Sequence, residues 1–432
     1  MTHAEKMIEW ISASPTAFHA VDTAKASFAG FEELCEKDTW QLLPGHKYMV
    51  TRNRSAIIAF VMPEKTPSGF LMAAAHTDSP MFKIKENAEI EAVGKYIQLD
   101  VERYGGAILS SWFDRPLTIS GRVIVRTEKG IETRLVTMEN AVIIPNMPIH
   151  MNREINDGYK YNAATDLQPL WGVKADKGQF RATVAAAAGC TEDQIAATDL
   201  YVCNSQKGLV WGPEGEFVSA PRLDNLGCCY AIVEALCTAK PAETHVQLGA
   251  LFDNEEVGSG SIQGAKGTFL KDVLNRIAAS CGMAGTGILP LLASSFMVSA
   301  DNAHAQHPNH PEQYNKNHAS HMNEGVVIKF NASQKYTTDG ISEAIFRCAC
   351  QKAGAPVQMY ANRPDKPGGS TLGNLSMEQV SVPTVDIGMA QLAMHSSFET
   401  CGAKDAEYMV NAIRAFYELQ LEMTADGNYN VG

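Results

Sequence analysis

Four predicted strand exits and one helix start in this 432-residue chain carry side chains of the metal-ligating kind. LMAAAHTDSP (71–80) ends an apolar run in His76 and Asp78. The run THVQLGALFD (244–253) is followed by Glu255 and Glu256 in DNEEVGSGS. Asp301 follows FMVSA in ADNAHAQHPNH, His395 follows PTVDIGM in MAQLAMHSSFE, and Asp224 opens a helix in APRLDNLG. Taken singly, a His-x-Asp reads as a solvated turn and a Glu-Glu pair as a surface feature. Taken together they line the crevice outside the carboxyl ends of an α/β sheet, where such folds bind ligands. Two histidines with three or four carboxylates and no cysteine form the ligand set of a two-metal hydrolytic site. Charge supports this: two divalent ions bring four positive charges, which three carboxylates and a bridging hydroxide return. Glu255 and Glu256 divide the labour, one binding metal while its neighbour serves as general base for the attacking water.

The elements that must position these groups follow from periodicity. From Asp224 onward helical and strand patterns alternate, the signature of an α/β layer architecture. DNLGCCYAIVEALCTA (224–239) is helical, with Asp224 suited to an N-cap. FMVSAD, VQMYA and PTVDIGM read as strands, and AKGTFLKDVLNRIAAS, ISEAIFRCACQKAG and a long closing DAEYMVNAIRAFYELQLEM as helices. The middle differs. Between about Lys85 and Ser219, short strand-like runs such as PLTISGRVIVRT and ETRLVTM are joined by turn signals. The expectation is a three-layer α/β domain, 1–87 and 220–432, interrupted by an inserted β-rich domain, 88–219.

Composition narrows the function classes. The chain is 45% apolar and 19% charged, with formal charge −12, which argues against nucleic acid or anionic membrane as a partner. The N-terminal stretch has neither the apolar core of a signal peptide nor the Arg/Ser bias of a transit peptide, so a cytoplasmic location is expected. Ten cysteines are scattered without a C-x-x-C pair, which predicts reduced packing residues rather than a Cys-rich zinc site. The histidines 304, 307, 310, 318 and 321 are irregularly spaced in a Pro/Asn-rich segment that reads as a loop. The 368–371 run GGST is as readily a tight turn as an anion-binding helix start, and no phosphate-loop pattern accompanies it.

The motifs AAHTDSP, APRLDNLG, DNEEVGS, SADNAHAQHPN, GSTLG and MHSSFE, in this order over essentially the whole chain, resemble those of the aspartyl aminopeptidases of the M18 metallopeptidase family. The resemblance implies one metal held by His76, Asp224 and Asp301. Asp224 would bridge to a second metal completed by Glu256 and His395. Glu255 would be the base and Asp78 would orient His76. It implies substrate contacts from His304, Lys329 and Tyr336, and from His150 reaching across a dimer interface. The implied cofactors are two divalent ions per subunit, zinc foremost, with manganese or cobalt compatible with the same ligands. The implied substrates are peptides with an N-terminal Asp or Glu. The inserted domain would build a dimer, and dimers a dodecamer. A related aminopeptidase of different specificity, an M20-type deacylase, and a non-catalytic scaffold keeping the fold are the alternatives.

Overall fold

The computed structural model describes residues 1–369 and 371–432; the serine of the 368–371 run lies outside the described residues. Two compact units emerge. The first comprises Met1–Asp78, Gly208–Met394 and Glu399–Gly432, and the second Ser79–Lys207 with His395–Phe398. The boundaries expected from sequence stood at 87/88 and 219/220.

The first unit is built on a nine-stranded mixed sheet. Its spatial order is Glu32–Leu34, Lys47–Arg52, Ala56–Val61, His245–Phe252, Gly69–His76, Phe296–Ala300, Thr384–Gly388, Val326–Lys329 and Val357–Tyr360. The four central strands, from His245–Phe252 to Thr384–Gly388, run parallel. Parallel strands covered on both faces lose the polar alternation of half-exposed strands. Gly69–His76 shows this: every residue is buried, with Leu71, Ala73 and Ala75 packing into one core and Phe70, Met72 and Ala74 into another. The first core is closed by the helices His3–Ser12, Leu223–Thr238 and Ala403–Tyr417, and the second by Phe269–Ser280 and Ile288–Ala293. This is the three-layer α/β arrangement expected.

One expectation fails at the C-terminus. The closing helix was expected to run through Met423 but stops at Tyr417, and Leu421–Ala425 pairs with Asn428–Val431 as an antiparallel hairpin. Gly427 at φ +74° makes the Asp-Gly turn, and Leu419 and Leu421 are buried against the first core. Turn chemistry and burial override the helical period there.

The second unit is a closed six-stranded barrel, in spatial order Ile195–Cys203, Met81–Ala92, Tyr96–Tyr104, Leu170–Val173, Gly130–Ile143 and Pro116–Thr127. Leu99, Leu117, Ile119, Val123, Val136 and Leu200 fill its core. A helix, Phe180–Ala187, packs into the same core and was not anticipated from the strand-like patterning. No single helix among the described residues is long and apolar enough to cross a membrane.

Candidate metal centre

The parallel register delivers the ligating groups to one edge. Phe252 pairs with His76 and Ser299 with Ala74, so Asp301 and the turn after Phe252 leave the sheet beside His76. Asp301 donates its N–H to the Ile387 carbonyl at 2.8 Å. Gly388 makes this approach possible, because a Cβ there would stand 2.0 Å from the Asp301 carbonyl oxygen.

His76 is the centre of the cluster and is buried. Its Nε2 lies 3.4 Å from Asp224 Oδ1 and 3.7 Å from Asp301 Oδ1. Ligand atoms of His76, Asp224 and Asp301 all fall within 4.8 Å of one another, and so do those of His76, Glu255 and Glu256. Asp224 was expected to cap the helix that begins beside it. Asp224 and Asn225 have the non-helical dihedrals of a helix start, and Asp224 Oδ1 faces His76.

Asp78 does more than expected. Its backbone carbonyl lies 3.0 Å from His76 Nδ1, which directs Nε2 towards the acids, and its carboxylate is 3.4 Å from the same nitrogen. The carboxylate also accepts the backbone N–H groups of Glu255 and Glu256, each at 3.1 Å. One buried side chain thus holds both the histidine and the Glu-Glu turn. Such outer partners fix the orientation of ligating groups.

The electrostatics are those of crowded acids. Burial pulls the His76 pKa down, but its contacts with Asp224, Asp301 and Asp78 more than offset this and hold it well above the usual histidine value. Burial pushes Glu255 up to about 8; His76 opposes the rise, and Asp301, Glu256 and Asp78 add to it. Lys329 supplies one positive charge, with Nζ 3.6 Å from Asp301 Oδ2. One imidazole, one ammonium and five acids in so small a buried region leave negative charge that divalent cations would neutralise. The oxygen-rich donor set with a histidine suits zinc, manganese or cobalt.

The other anticipated residues divide into two groups. Lys329 is buried at the end of its strand, donates to the Asp301 carbonyl at 2.7 Å, and lies 5.2 Å from the centre of the Tyr336 ring. His304 stands three residues beyond Asp301, its ring edge-on to Tyr360 with centroids 6.0 Å apart. His150 and His395 belong to the second unit. His150 sits in an exposed turn, and His395, at φ +68°, has Nδ1 2.9 Å from the Gly106 carbonyl.

Several supporting groups escaped the sequence reading. Buried Glu399 accepts the Asp224 N–H at 2.9 Å, and the Cys229 thiol donates to the His76 carbonyl at 2.9 Å. Asn302 donates to the Leu223 carbonyl at 2.9 Å and to Gln391 at 2.8 Å. Glu399 lies inside the MHSSFE motif, yet its type alone does not distinguish it from a solvated acid. Cys229 sits in an apolar helix where a thiol reads as packing.

A histidine ringed by carboxylates at the carboxyl edge of a parallel sheet makes a candidate divalent-metal site on an α/β scaffold. Comparison with known proteins gives the family. The family model described as "Aminopeptidase I zinc metalloprotease (M18)" matches residues 10–417. A Clostridium acetobutylicum protein called a probable M18 family aminopeptidase 2 is 42% identical over 427 residues, covering 96% of this chain and 98% of that protein. A Pseudomonas savastanoi pv. phaseolicola protein of the same name is 39% identical over 422 residues, covering 95% and 97%. Among solved structures, a chain of the cryo-EM structure of the Ape4 and Nbr1 complex superposes with a TM-score of 0.91 at 36% identity, covering 96% of this chain and 85% of that one. The S. cerevisiae mApe1 dodecamer superposes at 0.82 with 27% identity, covering 96% of each. The chain belongs to the M18 family of metallo-aminopeptidases, as the motifs indicated.

Proposed function

We propose that this aminopeptidase removes N-terminal Asp or Glu from peptides, using two divalent ions and a glutamate base. The observation that carries the reading is His76, with Asp224 and Asp301 at its Nε2 and Glu255 and Glu256 within 4.8 Å. His76, Asp224 and Asp301 would hold one ion, and Asp224, Glu256 and His395 the other. The Gly106 carbonyl at His395 Nδ1 suits a histidine that ligates through Nε2. Bound there, the ions would polarise the scissile carbonyl and lower the pKa of water from about 15.7 towards roughly 7.

Glu255 is the base in this reading. It takes a proton from the attacking water as the oxygen bonds to the carbonyl carbon, and returns it to the nitrogen as the C–N bond breaks. Burial and the neighbouring acids raise the Glu255 pKa in the metal-free site, and bound cations would lower it again and favour the ionised base. Asp78 keeps the base in place through the Glu255 N–H. Acid specificity in an acidic protein needs short-range donors, and Lys329, Tyr336 and His304 are the candidates beside Asp301, with His150 supplied by a neighbouring subunit. We assign the protein to a homo-oligomer of dimers, up to a dodecamer, joined through the barrel unit. We place it in the cytoplasm, in keeping with ten free thiols.

Initial rates on Asp-, Glu-, Leu- and Ala-p-nitroanilide, with metal-reconstituted protein and with chelator, test the proposal. Cleavage of the Asp and Glu substrates, abolished by chelator, is expected. Fast Leu or Ala cleavage with none on Asp would sink the acid specificity while keeping the metal site.

A further inference from the structure

Next to His304 the first unit contains a cavity of about 410 Å³, lined among others by His304, His307, His310, Tyr360, Arg363 and Lys366. A neighbouring cavity of about 690 Å³ shares Arg363 and Lys366 and adds Lys335. No carboxylate is among the described residues that line either one, although the chain carries a formal charge of −12. Asp365 holds the Arg363 fork from outside, at 2.7 and 3.0 Å, and compensates part of its charge. Glu312 lies 3.6 Å from His310. Lys366 is exposed and forms no ion pair among the described residues. Lys335 donates to the Gly368 carbonyl at 3.0 Å, which fixes the loop that carries Lys366.

The cavity opens within reach of the metal centre. His304 lines it and follows Asp301 by three residues, a span of at most about 10 Å. An extended peptide advances roughly 3.3 Å per residue. A substrate whose first carbonyl sits at the acids and whose chain runs towards His304 would bring its next one to three residues to this cavity.

We propose that this cavity receives a carboxylate of the substrate beyond the scissile bond, with Lys366 as its main charged contact and Arg363, His307 and His310 as supporting donors. The carboxylate is either an acidic side chain one to three places downstream or the C-terminus of a short peptide. The proposal rests on the aminopeptidase activity but not on which N-terminal residue is preferred.

The test uses four peptides that share the N-terminal residue X best cleaved as a p-nitroanilide: X-Ala-Ala-Ala-amide, X-Glu-Ala-Ala-amide, X-Ala-Glu-Ala-amide and X-Ala-Ala-Ala with a free C-terminus. At least one acid-bearing peptide should exceed the neutral amide roughly threefold to tenfold in kcat/KM, mainly through KM, and the gain should shrink at high salt. Which peptide gains tells a side-chain carboxylate from a terminal one. Lys366→Gln should remove the gain and Lys366→Glu invert it, with the X-p-nitroanilide rate unchanged in both. Equal rates on all four peptides, or a gain that survives Lys366→Glu, would overturn the proposal. Failure to cleave any p-nitroanilide would overturn the underlying activity, and this inference with it.

Discussion

Two groups of buried carboxylates in the first unit are stabilised in opposite ways. Asp386 and Asp405 are each surrounded by donors. Asp386 accepts the Thr337 N–H and hydroxyl, the latter at 2.7 Å, and the Thr371 hydroxyl at 2.8 Å. Asp405 accepts the Asn323 N–H at 2.7 Å and the Gly325 N–H at 3.1 Å. Around His76 the acids instead face one another, one imidazole and one lysine ammonium. A carboxylate whose lone pairs meet N–H and O–H groups supports the fold, whereas acids crowded against one another are held in a costly arrangement by the rest of the structure. Such local conflict within a consistent fold marks a functional site.

The contrast is broken most severely at Glu255. Glu255→Gln should cut activity about 10² to 10⁴-fold while leaving metal binding largely intact, because the base is lost but the ligands are not. Stopped assays combined with metal analysis of the purified variant check it. Near-normal turnover would remove Glu255 from the role of base.

Donor-satisfied acids should respond in stability rather than chemistry. Asp386→Ala leaves two hydroxyls and an N–H buried without their acceptor and should cost about 2–4 kcal/mol by denaturant unfolding. In metal-free protein, Glu256→Gln should be neutral or stabilising, since it relieves repulsion with Glu255. A destabilisation by Glu256→Gln as large as that of Asp386→Ala would erase the distinction between the two groups.

Between these extremes stands Glu399, a single buried acid that serves the crowded site through the Asp224 N–H. Glu399→Gln keeps an acceptor oxygen but loses the charge-assisted bond. Metal affinity, measured by chelator competition, should fall roughly tenfold, in line with other outer partners of metal ligands. Unchanged affinity would make the contact incidental.

How much of this could be read from sequence depended on whether a residue's type carried its role. His76, Glu255, Glu256 and Asp301 stood out because ligand types sat at strand exits, and Asp224 because one sat at a helix start; parallel strands are legible as unbroken apolar runs such as FLMAAA. Glu399, Cys229 and the backbone carbonyl of Asp78 were not legible as supports. Their roles arise from contacts between segments distant in sequence, such as the 175-residue separation of Asp224 and Glu399. The C-terminal hairpin was missed for a local reason. Its Asp-Gly turn lies just beyond a strong helical period, and the period was extended into it.

The finest test of the comparison is the pH dependence at Asp405, where even donor-satisfied burial leaves a residual cost. Burial raises its pKa from 3.8 to about 7, partly opposed by the Asn323 and Gly325 N–H groups. A carboxyl raised on folding favours the folded state while protonated. That contribution is full below the unfolded value near 3.8 and is lost as pH rises towards about 7, where the folded state must also ionise. Asp405→Asn cannot ionise, so Tm of the variant minus Tm of the parent should increase from pH 5 to pH 7.5 and level off above. The isosteric amide turns one acceptor into a donor facing an N–H, which offsets both ends of the curve equally and leaves its slope intact. A flat difference would mean that the two backbone donors cancel the burial cost completely, placing Asp405 even further from the crowded acids around His76.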